Sequence, residues 1–138
     1  MNLPISPAAA ARALLARRAV RRSLDACARH AGFDPAAHHR LLIAELELLE
    51  RGENDTLLVF MPPGSAKSTY VNMLFPAWFL ARNASLNVIS ASHATELAER
   101  WGRKTRNLVA SQGSALNLSL STDSRAAHRW GTSAGGEY

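Results

Sequence analysis

Apolar and polar positions alternate along this chain with two periods, and the switches between them mark out its elements. Ser6-Pro7 pairs a capping side chain with a proline at the first turn. The pattern predicts one helix from Ala8 to His30, closed at Gly32. Asp34-Pro35 opens a second helix by the same device, running to Arg51-Gly52. Its Leu41, Leu42, Leu46 and Leu49 share a stripe, while Glu45, Glu47 and Glu50 face elsewhere, mostly toward water. The period then shortens. Leu57 to Met61 is an apolar run between Glu53-Asn54-Asp55 and Pro62-Pro63-Gly64, the mark of a short buried strand punctuated at both ends. Thr69 to Leu80 is apolar nearly all round, which suits a helix buried against a sheet, and Pro76 should kink or end it near Phe75. Trp78 and Phe79 pack beyond that kink. A second apolar strand, Leu86 to Ala91, comes next. A long helix from after Ser92 to Ala110 then places Ala94, Leu97, Ala98, Trp101, Thr105 and Leu108 on one face, with Glu96 set to pair with Arg100. Leu116, Leu118 and Leu120 alternate with Asn117, Ser119 and Ser121, the period of a half-buried strand. Ser121 to Ser124 is turn chemistry, Arg125 to Trp130 a return strand, and Thr132 to Tyr138 a Gly/Ser stretch.

The candidate chemistry sits where the first predicted strand gives way to a helix. Pro62-Pro63-Gly64-Ser65-Ala66-Lys67-Ser68-Thr69 reads as a small-residue turn followed by Lys-Ser at a helix start. Backbone N–H groups of such a turn and helix N-terminus point at an anion, and the helix dipole favours negative charge there. Lys67 would reach the β- and γ-phosphates of a nucleoside triphosphate, and the Ser68 hydroxyl would ligate Mg²⁺. Against the pattern G-x-x-x-x-G-K-[ST], Met61 and Ala66 stand where the glycines belong. Ala66 is the weightier departure, because a Cβ there crowds the approach of phosphate to the backbone. The candidate nucleotide-binding residues are therefore Pro63, Gly64, Ser65, Ala66, Lys67, Ser68 and Thr69, with Lys67 in the catalytic role and ATP with Mg²⁺ as cofactors. Strand, loop, helix and strand within about thirty-five residues form a βαβ unit whose loop lies at the strand's C-terminal edge. The predicted fold is α/β: a partial P-loop NTPase of the RecA-like kind, with a parallel sheet preceded by two helices. Residues 1–52 form the helical segment and 53–138 an incomplete P-loop ATPase core.

Composition narrows the alternatives. The chain has 138 residues with 47% hydrophobic, a size and balance for one globular domain. Its single cysteine, Cys27, rules out an internal disulfide framework and lies in an Ala-rich helical stretch, as a small packed residue would. His38 and His39 are adjacent, do not share a helix face, and come without a ligand cluster. The longest apolar stretch, Met73 to Ala81, contains Pro76 and falls far short of the roughly eighteen residues a membrane span needs. The net charge of +5 is unevenly placed. Residues 1–33 carry six arginines against one aspartate, and residues 34–55 carry two against six acids. The basic start superficially resembles an organellar transit peptide but lacks its serine richness and runs straight into a second helix. Basic ends around an acidic helix suit contact with a polyanion, or equally a set of solvated helix faces.

Four segments in order carry a family resemblance: Pro35-Ala36-Ala37-His38-His39-Arg40-Leu41-Leu42; Val59 to Thr69; Ile89-Ser90-Ala91-Ser92-His93 with the helix Ala94 to Val109; and Asp123-Ser124-Arg125-Ala126-Ala127 with Arg129-Trp130 and Gly135-Gly136-Glu137-Tyr138. Over most of the chain from about residue 35 onward, it resembles the N-terminal part of the large subunit of a tailed-bacteriophage terminase, the ATPase that drives DNA into the procapsid. In that family the P-loop commonly begins with two prolines, as Pro62-Pro63 do here. The resemblance implies ATP and Mg²⁺ as cofactors. It implies double-stranded DNA, a portal protein and a small terminase subunit as partners, and the cytoplasm of a bacterial host, from phage or prophage, as the location. It also implies a Walker B strand ending in an acidic pair, which holds Mg²⁺ and orients water, and a nuclease domain. No apolar run ending in such a pair occurs here. The expectation is an N-terminal fragment that binds nucleotide and does not hydrolyse it alone, since water positioning is a necessary part of phosphoryl transfer to water. Two rivals stand beside it: another small P-loop ATPase, and a non-catalytic basic helical module that binds DNA or a partner protein through Arg17, Arg18, Arg21 and Arg22.

Overall fold

The structure, a computed structural model, describes residues 6–126 and 129–138. In chain order its elements are α1 (Pro7–Arg22), α2 (Leu24–His30), α3 (Ala37–Glu50), α4 (Lys67–Thr69), a π-helical turn (Tyr70–Leu74), α5 (Phe75–Arg82), α6 (Thr95–Leu116), β1 (Leu120–Arg125) and β2 (Trp130–Thr132). Ser6 caps α1 by accepting the Ala9 N–H at 3.2 Å. The single helix predicted to His30 is broken at Ser23, which leaves helical geometry and caps α2. Ser23 Oγ accepts the Ala26 N–H at 3.4 Å, and Glu47 Oε1 of α3 accepts the Leu24 N–H at 2.7 Å. A serine that offers the backbone a local partner competes with helix continuation, and here a carboxylate from another helix adds to it. Glu50 also turns inward. Its Oε1 takes the Arg82 Nε–H at 2.8 Å and an Asn83 amide N–H at 3.0 Å. Of the three glutamates expected to face water, two thus tie α3 to its neighbours.

The predicted parallel sheet is absent. Among the described residues there is one sheet, of two antiparallel strands, β1 with β2, in the register Leu120↔Thr132 and Arg125↔Trp130 with an irregularity between. Leu57–Met61 forms no strand, and its backbone makes no hydrogen bond among the described residues. Leu86–Ala91 forms none either, although the Val88 N–H reaches Glu137 O at 2.8 Å. The α/β, partial P-loop NTPase expectation is therefore overturned in favour of a mostly helical fold. An apolar run reports which side chains are buried, and here the helices do the burying. Leu57, Val59 and Met61 pack against the core, while Leu58 and Phe60 between them are 76% and 89% exposed.

The core is built where α2, α3, the π turn, α5 and α6 meet, around Leu24, Leu46, Leu74, Trp78, Leu80 and Leu116. Residues from both sides of Gly52 join this one cluster. Pro76 neither ends the helix nor leaves it regular. The π turn precedes it, so Lys67 to Arg82 runs as continuous helical backbone through α4 and α5. Pro76 has no N–H for the carbonyl four residues back, that of Asn72. The hydroxyl of Thr105, fully buried on α6, stands in by donating toward Asn72 O at 3.0 Å, with Trp101 O at 2.9 Å as its other acceptor. Helix α6 runs past the predicted end at Ala110 to Leu116 and stops at Asn117 in left-handed geometry (φ 54°). Leu116, predicted in a strand, is therefore the last helical residue, and the strand begins at Leu120.

The predicted Gly/Ser tail is ordered hairpin. Trp130 and Tyr138 exchange both backbone hydrogen bonds at 3.1 and 2.9 Å, and their rings stack at 5.2 Å. Gly136 N–H donates to Ala84 O at 3.0 Å, and a Cβ at Gly136 would lie only 2.4 Å from that oxygen. No described helix is long and apolar enough to cross a membrane.

Candidate phosphate-binding loop

Two prolines, which carry no N–H, deliver the chain from Met61 into a tight turn. Ser65 N–H donates to Pro62 O at 3.3 Å, closing the turn over Gly64 at φ 80°. Ala66 follows at φ 57° and ψ 16°, the left-handed region, and the chain then enters α4. Ala66 O accepts from both Thr69 N–H (2.9 Å) and Tyr70 N–H (3.3 Å). The N–H groups of Gly64, Ala66, Lys67 and Ser68 are left without a partner among the described residues. Successive free N–H groups around a left-handed residue make an anion-binding concavity.

All seven predicted site residues, Pro63, Gly64, Ser65, Ala66, Lys67, Ser68 and Thr69, come together here. With Met61 and Pro62 they line a hollow of about 390 Å³, within the range of small-ligand sites. Lys67 is half-buried and makes no ion pair among the described residues, so its ammonium is not committed to a carboxylate. Ser65 Oγ is buried with no hydrogen-bond partner. Ala66 is a departure from the pattern for its Cβ, and its backbone sharpens that point. It adopts the conformation a glycine would take without strain, at a penalty of about 1–2 kcal/mol for an L-residue.

One residue of the loop's surroundings was not singled out by the sequence. His39, on the first turn of α3, accepts the Ala36 N–H at Nδ1 (3.1 Å) and lies with Nε2 2.9 Å from Ser65 O. A nitrogen that accepts is unprotonated, so in the neutral ring Nε2 carries the proton and donates it to the loop carbonyl. The ring stacks on Tyr70 at 4.4 Å and 19° and meets His38 at 3.9 Å. The Tyr70 phenol is pushed up from its ordinary value, chiefly by burial and then by the charges of Asp25 and Asp34. In the sequence His39 is marked only as one of two adjacent histidines; its reach back to the cap follows from a helix that starts at Ala37, with Ala36 as its cap, and not at Pro35.

Cys27 is buried and its thiol is pushed up to about 12 by that burial, which fits a packed residue and not a nucleophile. No three His, Cys, Asp or Glu side chains among the described residues are grouped to hold a metal. The arginines of α1 lie on a helix exposed from Ala11 to Ala19. On α6, Arg103 is exposed and Arg106 is half-buried with its guanidinium 3.3 Å from Asn107 Oδ1. Compared with protein families, curated proteins and solved structures, the chain matches none.

Proposed function

We propose that the Pro62–Thr69 loop binds the phosphates of a nucleoside triphosphate, ATP by the resemblance, and that the chain is an N-terminal part of a terminase large subunit. One observation carries the first part: four unpartnered N–H groups, on Gly64, Ala66, Lys67 and Ser68, surround a hollow beside an uncommitted lysine. The donor set fits a polyanion, since the loop offers four unpartnered backbone N–H groups and its one charge is positive. Mg²⁺ arriving with the triphosphate would neutralise its β- and γ-oxygens, and Ser68 is the residue to hold it. Nucleotide binding is the activity proposed for this loop; hydrolysis would need in addition a group that positions water. The test is calorimetric titration with Mg-ATP beside Lys67→Ala. The expected result is binding that vanishes in the variant. Equal heats from both proteins, or none from either while both are folded, contradict it.

The motor reading adds double-stranded DNA, a portal protein and a small terminase subunit as partners, in a bacterial host's cytoplasm. For DNA the favouring observation is α1, where Arg12, Arg17, Arg18 and Arg22 all lie exposed on one helix. Arginines so placed reach phosphates and carry no sequence preference. Replacing Arg17, Arg18 and Arg22 with Gln should flatten the salt dependence of DNA binding by about 0.9 in log–log slope for each phosphate no longer neutralised. An unchanged slope removes α1 from the interface.

A further inference from the structure

We infer that His39 is the positioning residue of the phosphate loop, holding one peptide plane so that its N–H faces a bound phosphate. The inference rests on the phosphate-binding reading of Pro62–Thr69. In a trans peptide the C=O and N–H point in opposite directions across a rigid plane. His39 anchors Ser65 O at 2.9 Å, and the N–H of that same plane belongs to Ala66, one of the four without a partner. Fixing the carbonyl toward α3 therefore fixes the Ala66 N–H away from it. The restraint is needed at this plane more than at any other in the loop. Ala66 sits in left-handed geometry that an alanine leaves readily unless its surroundings hold it. A glycine–lysine loop can flex into shape around its ligand; an alanine–lysine loop gains from being held there beforehand.

The anchor is itself held on three sides. Nδ1 is fixed by the Ala36 N–H, one ring face by Tyr70, and the other flank by His38. The Ala36 bond ties the ring to the start of α3, and Tyr70, which caps α4, ties it to the helix the loop enters. The charged groups acting on this stack are Asp25 and Arg29 on α2 and Asp34 in the turn before α3, with Arg40 on α3 paired with Asp25 at 3.8 Å. His39 thus connects the helix ahead of the loop to the loop's most strained residue. Pro35 to Leu42, the first segment of the resemblance, acquires a task at the loop.

Two side chains separate the parts of this task. Phenylalanine at 39 keeps a ring for Tyr70 and removes both hydrogen bonds, while glutamine puts an amide N–H where Nε2 stood and loses the stack. Mg-ATP affinity and thermal midpoint would be measured for the wild type, Lys67→Ala, His39→Phe and His39→Gln. The expected result is about tenfold weaker binding in His39→Phe, since a net hydrogen bond accounts for about 0.5–1.5 kcal/mol, with His39→Gln within about threefold of wild type. Binding in His39→Phe equal to wild type, while Lys67→Ala has lost it, overturns the role of His39 and leaves the loop's function standing. Equal losses in both His39 variants would show that binding does not follow the Nε2 hydrogen bond, and a loss in His39→Gln alone would assign the effect to the stack; either also overturns it. Wild-type binding that Lys67→Ala does not affect removes the phosphate site itself. A second readout needs no variant. The imidazole ¹⁵N spectrum of the wild type should show His39 with the proton on Nε2, and a proton on Nδ1 in the neutral ring contradicts the anchor.

Discussion

Ala66 is where local strain and proposed function meet. It has the φ of a glycine and the Cβ of an alanine. Relief of the left-handed penalty, about 1–2 kcal/mol, exceeds the roughly 0.4–1 kcal/mol by which a new glycine frees the unfolded chain. Ala66→Gly should therefore raise stability by up to about 1 kcal/mol and leave Mg-ATP binding intact or tighter, as urea unfolding and calorimetry would check. A loss of stability would mean that the left-handed geometry is not held in solution. The sequence marks this position as irregular because a pattern expects glycine there. The strain that makes it informative is a backbone angle, which no residue type states. His39 is legible only as one of two adjacent histidines, because the bond to Ser65 joins positions twenty-six apart in the chain.

At the scale of elements, helices are legible and sheets are not. Helix starts are signalled locally, and Ser6 and the Asp34-Pro35 pair announce α1 and α3 to within a few residues. The break at Ser23 is hidden because its second cap, Glu47, comes from another helix. Strand pairing is non-local by nature, and the runs at Leu57 and Leu86 have the composition of strands but join no strand ladder among the described residues. Pro76 shows the same division. Its interruption is readable, and its remedy, the Thr105 hydroxyl on a helix far along the chain, is not. Thr105→Val should destabilise the protein by about 1–3 kcal/mol, the range for leaving a buried acceptor unmet. In a Pro76→Ala background, where an N–H returns for Asn72 O, the same substitution should be less damaging. A double-mutant cycle by urea unfolding measures this coupling directly. Equal effects in both backgrounds would show that Thr105 does not compensate for the proline.

For the whole molecule, the proposed site sits on a helical scaffold in place of the parallel sheet expected beneath it. The hydrophobic cluster gathers α2, α3, the π turn, α5 and α6, and the C-terminal hairpin bonds Ala84 and Val88 through Gly136 and Glu137. What the loop requires from the fold is modest: a buried helix to lead into at Tyr70 and a second helix to lean on at His39. Both are supplied without a sheet. The most direct test of phosphate binding at this loop is a titration of the ¹⁵N-labelled protein with Mg-ATP, followed by its amide resonances. The account predicts that the amides of Gly64, Ala66, Lys67 and Ser68 move first and furthest, with saturation at one nucleotide per chain. Resonances that stay in place at this loop, or that move only along the arginines of α1, would contradict it.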